Sequence, residues 1–179
     1  MLLAGLAIAS LAGWLGVLLG TSRAWDLRPV GEDEPAPPDP DAWPSVAVLV
    51  PARNEADLLP LTLPALRGQD YPGEHSLVVV DDRSTDSTAG LATVRGTALP
   101  PGWVGKVWAL EQARRAAGDP DYYLLTDADI RHAPGSLRRL VAESEAAGLA
   151  LNSRMARLRC AAPAEKLLIP PFVYFFNLL

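Results

Sequence analysis

The chain has 179 residues, a formal net charge of −5 at pH 7 and a single cysteine. This length can bury the core of one ordinary domain once the apolar N-terminus is set aside. An acidic chain without a stripe of lysine and arginine is poorly suited to neutralise a phosphate backbone, which excludes nucleic acid as an expected partner. One cysteine also excludes a disulfide framework and a cysteine zinc site within one chain.

The first 22 residues predict a transmembrane anchor. Residues 2–20 contain no charged side chain, and a segment of this length just spans a hydrocarbon core. A cleaved signal peptide is the alternative, but its basic region is missing before the apolar segment, and Arg23 and Arg28 follow it instead. Basic residues that flank a transmembrane helix tend to lie on its cytoplasmic side, so Arg23 and Arg28 predict that the rest of the chain is cytoplasmic.

Two further segments flank a predicted domain at residues 45–160. Residues 23–44 are rich in proline and acidic residues, which predicts a linker that cannot bury enough surface to fold. Residues 161–179 are apolar up to Leu179 and predict an amphipathic or membrane-associated segment. This ending also favours continuation of the chain in a longer protein.

Within the domain, apolar runs alternate with segments of helical periodicity. Short runs rich in valine, leucine and tyrosine predict strands at residues 46–50, 77–80 and 122–125. Helices are predicted from Asp57, as the cap, to about residue 67, from residue 106 to Gly118 and from Pro134 to Gly148. A further strand is predicted near residues 149–158. This alternation predicts an α/β domain with a mostly parallel sheet and flanking helices.

Each of the first three predicted strands runs into a turn that carries carboxylates. Because the carboxyl ends of parallel strands form the usual ligand crevice, these acids are expected to converge at one edge of the sheet. Asp127 and Asp129 are separated by one residue, so in an extended segment both can share a hard cation, such as Mg²⁺ or Mn²⁺, that is bound to a diphosphate. Two merely solvated loop acids are the alternative.

Asp81 and Asp82 are adjacent, and adjacent side chains of a strand point to opposite faces. One of the two is therefore expected to enter the site. The other can accept hydrogen bonds from amides of the following turn, a capping role that Ser84, Thr85 and Asp86 would share.

Other polar residues near these turns can contact a nucleotide. Arg53, Asn54 and Glu55 offer hydrogen-bonding groups that can read a base or a ribose, although a surface salt bridge between Arg53 and Glu55 is the alternative. Lys106 can balance the charge of a nucleotide, or can be an ordinary surface lysine. The two histidines, His75 and His132, receive no role.

Four segments resemble the family 2 glycosyltransferases in their order and spacing: PARNE (51–55), VDDRSTD (80–86), GWVGK (102–106) and TDAD (126–129). Within that family, the membrane-bound, hopene-associated glycosyltransferases are the most similar, on the segments LPPGWVGKVWA (99–109), RLRC (157–160) and LLIP (167–170). The resemblance covers essentially the whole chain. It implies the GT-A fold, a Rossmann-like, mostly parallel sheet with flanking helices, here preceded by the transmembrane helix.

The resemblance implies roles for the matching residues. Binding of the nucleotide sugar would fall to Ala52, Arg53, Glu55, Asp82, Lys106 and Asp127. Asp82 would contact the base, usually uracil. Asp127 and Asp129 would be the DxD pair that holds a divalent metal, Mg or Mn, with Asp129 on the metal and Asp127 nearer the ribose and diphosphate.

The chain departs from the family pattern in two places. The family's catalytic base is an acid downstream of the DxD pair, but the acids found there, Glu143, Glu145 and Glu165, lie on the predicted helix and in the tail. The base is therefore expected beyond Leu179. Only residues 87–97 stand where the family has a further helix and strand, so one α/β unit is expected to be lost or abbreviated.

The leading hypothesis is a glycosyltransferase anchored in a membrane, the bacterial inner membrane by resemblance. It would transfer a sugar with inversion from a nucleotide sugar, expected to be a UDP-sugar, to an acceptor such as a hopanoid or another lipid. This chain would carry mainly the donor-binding half. The alternatives are an inactive remnant or interaction module of the same fold, and a magnesium-dependent phosphohydrolase that uses Asp127 and Asp129.

Overall fold

The structure is a computed structural model that describes residues 2–19 and 35–177. The chain divides into two compact units, one formed by Ala36–Arg154 and the other by Met1–Pro35 together with Met155–Leu179. The first unit contains the sheet and all the candidate site residues.

The described residues form five α-helices and four strands, in the order α1 (Leu2–Leu19), β1 (Val46–Ala52), α2 (Leu59–Arg67), β2 (His75–Asp81), β3 (Val94–Arg95), α3 (Gly105–Ala117), β4 (Tyr122–Leu125), α4 (Ser136–Ala147) and α5 (Pro163–Asn177). The strands form one sheet in the order β3-β2-β1-β4, and each of its pairings is parallel. The predicted α/β domain with a parallel sheet is confirmed, with the three predicted helices in place.

Strand β1 organises the core because its side chains alternate between the two faces of the sheet. On one face, Val48 belongs to a buried cluster with Leu59 and Leu63 of α2. On the other face, Leu49 belongs to a cluster with Ala109 of α3. Helix α4 lies on the same face as α2. Helices thus cover both faces, which leaves the edges of the sheet for polar loops.

The connection after β2 is an abbreviated crossover. Twelve residues, 82–93, link β2 to β3, which is about the shortest length for a parallel crossover. A four-residue 3-10 helix, Ser87–Gly90, replaces the usual α-helix and has Asp86 as its N-cap. Strand β3 then pairs with the end of β2 at Val80 and Val94. The α/β unit is therefore shortened, and β2 keeps its pairing with β1 along its whole length.

Two local predictions are wrong. Asp57 does not cap α2: the N-cap is Leu58, without a side-chain hydrogen bond, and the Leu58 and Leu59 amides donate to the Glu55 carbonyl. Residues 149–158 do not form a strand, because no described strand pairs with them and their apolar side chains remain outside the core. Leu151, for example, is 84% exposed.

The predicted transmembrane helix over residues 1–22 is not found in the structure. Within residues 2–19 and 35–177, no helix is long and apolar enough to cross a membrane. The 18 residues of α1 extend over about 27 Å, against a hydrocarbon core of about 30 Å. Residues 1 and 20–22 of the predicted span lie outside the described residues.

The predicted linker is described only in its last part, because residues 23–34 lie outside the described residues. Within the described part, Asp39 and Trp43 contact the domain. Asp39 forms an ion pair with Arg138 of α4, with 2.5 Å between Oδ2 and Nη2, and Trp43 packs edge-on against Tyr71 with ring centroids 5.3 Å apart. This part of the predicted linker therefore lies against the domain surface.

The tail at residues 161–179 contains helix α5. Glu165 stabilises its start, because the carboxylate accepts hydrogen bonds from the Ala161 and Ala162 amides at 2.7 and 2.8 Å. Leu167 and Leu168 are exposed, so the helix presents apolar surface. Its association with a membrane stays a prediction.

Candidate active site

Three loops converge at the carboxyl edge of the sheet. Because the strands are parallel and β1 lies between β2 and β4, the loops that follow these three strands open on the same side. They comprise residues 53–58, 82–93 and 126–135. The expected convergence of the acid-bearing turns is confirmed.

The first two loops are tied together by hydrogen bonds. The backbone amides of residues 54, 55 and 56 donate to three side chains of the second loop, Ser84 Oγ at 2.9 Å, Thr88 Oγ1 at 2.8 Å and Asp86 Oδ2 at 3.2 Å. In return, the Thr85 amide donates to Asn54 Oδ1 at 2.8 Å. Asn54 has a φ of 56°, a left-handed conformation that asparagine tolerates well. The polar residues after β2 thus cap the neighbouring loop as well as their own turn.

This cross-loop contact also involves the charge of Asp86. Hydrogen bonding by Thr88, through its hydroxyl and then its amide, lowers the pKa of Asp86 below its ordinary value. The carboxylate form is therefore favoured where it accepts from the amides of Ala56 and Thr88. The Glu55 carboxylate is not part of this contact, since only the backbone of Glu55 takes part.

Asp81 takes the capping role predicted for one of the two adjacent acids, and the entry of Asp82 into a binding site stays a prediction. Asp81 is 5% exposed, and its Oδ1 accepts a hydrogen bond from the Ser84 amide at 3.1 Å. Asp82 lies at the edge, where its Oδ2 is 3.9 Å from Arg53 Nη1 and its amide donates to the Ala52 carbonyl at 2.8 Å. The methyl group of Ala52 is buried in the core, so this residue offers only its backbone to the edge.

The start of α3 brings Gly105 and Lys106 to the same edge. Lys106 Nζ lies 2.6 Å from Asp127 Oδ1, and both side chains are more than half exposed. A Cβ atom at Gly105 would lie 3.3 Å from Asp82 Oδ2, so the glycine lets this carboxylate lie close to the helix start, where free amides favour negative charge. The start of α3 therefore contacts both the second loop, at Asp82, and the third loop, at Asp127.

Asp127 and Asp129 project from a turn whose middle residue is anchored in the core. Ala128 is 5% exposed, and its carbonyl accepts a buried hydrogen bond from Thr62 Oγ1 of α2 at 2.8 Å. The two aspartates are exposed, and the Asp129 side chain has no hydrogen bond or ion pair within the described part of the chain. The anchored middle thus presents both carboxylates at the surface.

These carboxylates fit a hard divalent cation but do not complete its coordination. No group of three His, Cys, Asp or Glu side chains among the described residues could hold a metal ion. Mg²⁺ is commonly held by one or two carboxylates together with phosphate oxygens and water, and Mn²⁺ also prefers oxygen ligands. The donor set therefore fits a cation that binds together with a diphosphate, on Asp129 and Asp127.

Beside this turn lies a series of hydrogen-bonded polar side chains that the sequence does not predict. Nε2 of His132 lies 2.9 Å from Thr126 Oγ1, and Nδ1 lies 3.1 Å from Ser136 Oγ. The Ser136 hydroxyl donates to Gln69 Oε1 at 3.0 Å. Burial lowers the pKa of His132, which favours the neutral imidazole. These residues come from separate loops and a helix start, so no local periodicity identifies them.

A cavity of about 680 Å³ lies elsewhere, near the amino ends of β1 and β4, and Asp121 and Glu145 are among its lining residues. Its lining contains no lysine or arginine, which disfavours a diphosphate there. The carboxyl edge, with Arg53 and Lys106 beside its acids, is the better candidate for a nucleotide site.

The sequence of this chain is similar to those of known glycosyltransferases. A family model described as Glycosyl transferase family 2 matches residues 47–166. An N-acetylglucosaminyltransferase of Mesorhizobium japonicum is 35% identical over 136 residues, which cover 69% of this chain and 31% of that protein. An undecaprenyl-phosphate mannosyltransferase of Micrococcus luteus is 33% identical over 124 residues, which cover 61% of this chain and 48% of that protein.

A solved structure is also similar. It is a mannosyltransferase of Pyrobaculum calidifontis in complex with GDP-Man and Mn²⁺, with a TM-score of 0.56 and 32% sequence identity, covering 78% of this chain and 43% of that one. This chain spans less than half the length of each of these three proteins. The fold is of the GT-A type. Because the family model covers well over half of the residues, the chain belongs to glycosyltransferase family 2.

Proposed function

We propose that this chain is the donor-binding half of an inverting glycosyltransferase. The observation that carries the proposal is the Asp127–Asp129 turn, which presents two carboxylates beside Lys106 at the edge where three parallel strands end. Cation-binding oxygens and a positive charge for phosphates thus occur together, and a nucleoside diphosphate sugar requires both.

The residues of the edge divide between the two ends of the donor. Asp82 would contact the base, with Arg53, Glu55 and the backbone of Ala52 forming the rest of the nucleoside side. In the transfer, the bond between the sugar carbon and the diphosphate breaks as an acceptor hydroxyl attacks from the opposite side, so the configuration inverts. A divalent cation, when bound, supplies positive charge for the departing diphosphate.

Lys106 is suited to a change of partner when the donor binds. Its ion pair with Asp127 is exposed on both sides, and such pairs stabilise a fold by only about 0–1 kcal/mol. Lys106 can therefore leave Asp127 for a phosphate oxygen at little cost. Asp127 is then available to the cation and the ribose, as the resemblance implies.

The base that deprotonates the acceptor is proposed to lie beyond Leu179. The downstream acids already have structural partners: Glu143 pairs with Arg139 at 3.0 Å and with Arg154, and Glu145 accepts from the Tyr122 hydroxyl at 2.6 Å. Glu165 caps the start of α5. These contacts also favour the second candidate, an inactive remnant that keeps the fold.

The donor is proposed to be a UDP-sugar or a GDP-sugar. The sequence resemblance favours uracil as the base, whereas the mannosyltransferase of Pyrobaculum calidifontis holds GDP-Man with Mn²⁺. The carboxylate of Asp82 can accept hydrogen bonds from either base, so the assay needs both nucleotides.

Nucleotide and Mn²⁺ together are expected to raise the Tm of the full chain. A ligand at about 100 times its Kd stabilises the native state by about 2.7 kcal/mol, which corresponds to about 10 °C for a domain of this size. Differential scanning fluorimetry with UDP or GDP, each with Mn²⁺ or with EDTA, measures the effect.

The outcomes separate the candidate functions. A rise in Tm with either nucleotide supports donor binding, and the larger rise identifies the base. No rise with either nucleotide contradicts the proposal and supports the inactive remnant. Release of phosphate from a generic ester would instead support a magnesium-dependent phosphohydrolase.

The chain is further proposed to act at a membrane, with the domain on the cytoplasmic side and a hopanoid or another lipid as acceptor. The α1 side chains at positions 4–16 and 19 are exposed, and the residues of the helix are uncharged, a combination that favours contact with lipid. One relative is named as an undecaprenyl-phosphate mannosyltransferase, and undecaprenyl phosphate is a lipid. The bacterial inner membrane is the location that the resemblance implies.

Placing charges on α1 is expected to release the chain from membranes. The double substitution Ile8→Lys and Leu11→Lys introduces two charges into exposed apolar positions of α1, so the fraction that sediments with lipid vesicles should fall severalfold. Leu61→Lys, at an exposed position of α2, is the control and should sediment like the wild type. Equal sedimentation of all three proteins would contradict an anchoring role for α1.

A further inference from the structure

Four polar side chains form a continuous chain of hydrogen bonds beside the Asp127–Asp129 turn. Gln69 follows α2, Ser136 is the first residue of α4, and His132 and Thr126 lie in the loop after β4. These hydrogen bonds run from Gln69 through Ser136 and His132 to Thr126, with donor–acceptor distances of 3.0, 3.1 and 2.9 Å. It links the end of α2 to the residue that precedes Asp127.

The Gln69 amide determines the direction of the first hydrogen bond. Its Nε2 donates to the carbonyls of Ala65 and Ala133 at 2.8 and 2.9 Å. Its Oε1 accepts from the Leu137 amide at 3.0 Å. With its amide oriented in this way, Gln69 offers Ser136 an acceptor and no donor, so the Ser136 hydroxyl donates its proton to Gln69.

The remaining directions follow from this first one. Ser136 has one hydroxyl proton, so towards His132 it can only accept. Nδ1 of His132 therefore carries a proton. In the neutral ring Nε2 is then the acceptor. The Thr126 hydroxyl donates to it at 2.9 Å rather than to the more distant Asp127 carbonyl at 3.5 Å.

We propose that His132, neutral with its proton on Nδ1, is a positioning residue that holds the Asp127–Asp129 turn through Thr126. This inference rests on the proposed function, in which that turn binds the cation and the diphosphate. Thr126 attaches the start of the turn to α4 and α2, and Thr62 attaches its middle at Ala128. Two attachments limit the spread of the carboxylates before binding, which reduces the ordering that cation binding requires.

The first test reads the tautomer directly. The chain has two histidines, so the variant His75→Gln leaves His132 as the only imidazole in a long-range ¹H–¹⁵N NMR spectrum. At about pH 8.5, where ordinary histidines are neutral, Nδ1 should show the shift of a protonated nitrogen and Nε2 that of an unprotonated one. The opposite pattern, or an average of the two, overturns the inference.

The second test measures Mn²⁺ affinity of the full chain with saturating nucleotide, by electron paramagnetic resonance well below the Tm. His132→Ala and Thr126→Val should each weaken Mn²⁺ binding about tenfold, which is typical when a residue that supports metal ligands is lost. Thr126→Ser keeps the hydroxyl and should retain the wild-type affinity. His75→Gln is the matched control and should also leave it unchanged.

The outcomes of the second test distinguish this inference from the proposed function. Unchanged affinity in His132→Ala and Thr126→Val, with loss in Asp129→Asn, overturns the positioning role and leaves donor binding standing. Equal loss in Thr126→Ser and Thr126→Val also overturns it, because the hydroxyl would then be irrelevant. A wild-type chain that binds neither nucleotide nor Mn²⁺ refutes the proposed function and the positioning role together, and the NMR spectrum alone then decides the tautomer.

Discussion

Replacing Asp129 with asparagine is expected to abolish the Mn²⁺-dependent part of the rise in Tm that nucleotide produces. A neutral amide is a much weaker ligand than a carboxylate for a hard divalent cation, because it lacks the negative charge. The Asp129 side chain is exposed and has no hydrogen bond or ion pair in the described regions. The free energy of unfolding without ligands should therefore change by less than about 0.5 kcal/mol. Melting curves with nucleotide, in Mn²⁺ and in EDTA, measure both effects.

Asp119→Asn is the matched control for this experiment. Asp119 is also an exposed aspartate, but it lies in the loop before β4, at the opposite edge of the sheet. Its substitution removes the same charge from the chain and should leave the Mn²⁺ response intact. If Asp129→Asn keeps the full Mn²⁺ response, Asp129 is not a metal ligand. If both variants lose it, the effect comes from net charge rather than from the site.

The strands of this fold can be predicted from the sequence because burial on both faces leaves a local pattern. Val48 and Leu49 lie on opposite faces of β1 and are both buried, so the strand is a continuous apolar run. The acids that follow each run mark the carboxyl edge in the same way. Parallel pairing then brings Asp82 and Asp127 to one edge, and a general rule for α/β sheets is enough to expect it.

The contacts between the loops could not be predicted, because they join residues far apart in the sequence. The Asn54 amide donates to Ser84 Oγ, 30 positions away, and Gln69 accepts from Ser136, 67 positions away. Such pairs follow from how the helices pack and leave no periodic signal. The sequence around His132 therefore indicates no role for it, although its side chain contacts Thr126, the residue that precedes the DxD pair.

The incorrect predictions have related physical causes. Leu149, Leu151 and Leu158 give the segment after α4 the composition of a strand, but a strand also requires a partner, and none of the described strands pairs with it. Asp57 precedes a helical pattern, as a cap does, yet the carbonyl of Glu55 already accepts from the first amides. In each case the local pattern was compatible with the prediction, and the tertiary contacts determined another outcome.

The loop after β1 and the Asp127–Asp129 turn both depend on α2 for their position. Thr62 of α2 donates to the Ala128 carbonyl, and Leu59 belongs to the buried cluster that contains Ala52, at the end of β1, and Ala128. The positions of the candidate binding residues in these two turns therefore depend on how α2 packs against β1. A cavity under these turns should affect both stability and binding.

Leu59→Ala is accordingly expected to lower the free energy of unfolding by about 3 kcal/mol and the Tm by about 12 °C. Leu59 is 0% exposed, and truncation of a buried leucine leaves a cavity as well as removing buried apolar area. Urea unfolding at constant m-value measures the loss. Nucleotide with Mn²⁺ should stabilise the variant less than the wild type, because the turn that holds Ala128 is less well supported.

Leu61→Ala makes the same chemical change two positions along α2, at a side chain that is 67% exposed. Its free energy of unfolding should change by less than about 0.5 kcal/mol, with the nucleotide response unchanged. Both variants lose the same atoms from the same helix, so the difference between them isolates burial from helix propensity. Equal losses would show that α2 does not pack on β1 as described, and a destabilised Leu59→Ala with a full nucleotide response would show that the turns hold their geometry without this core.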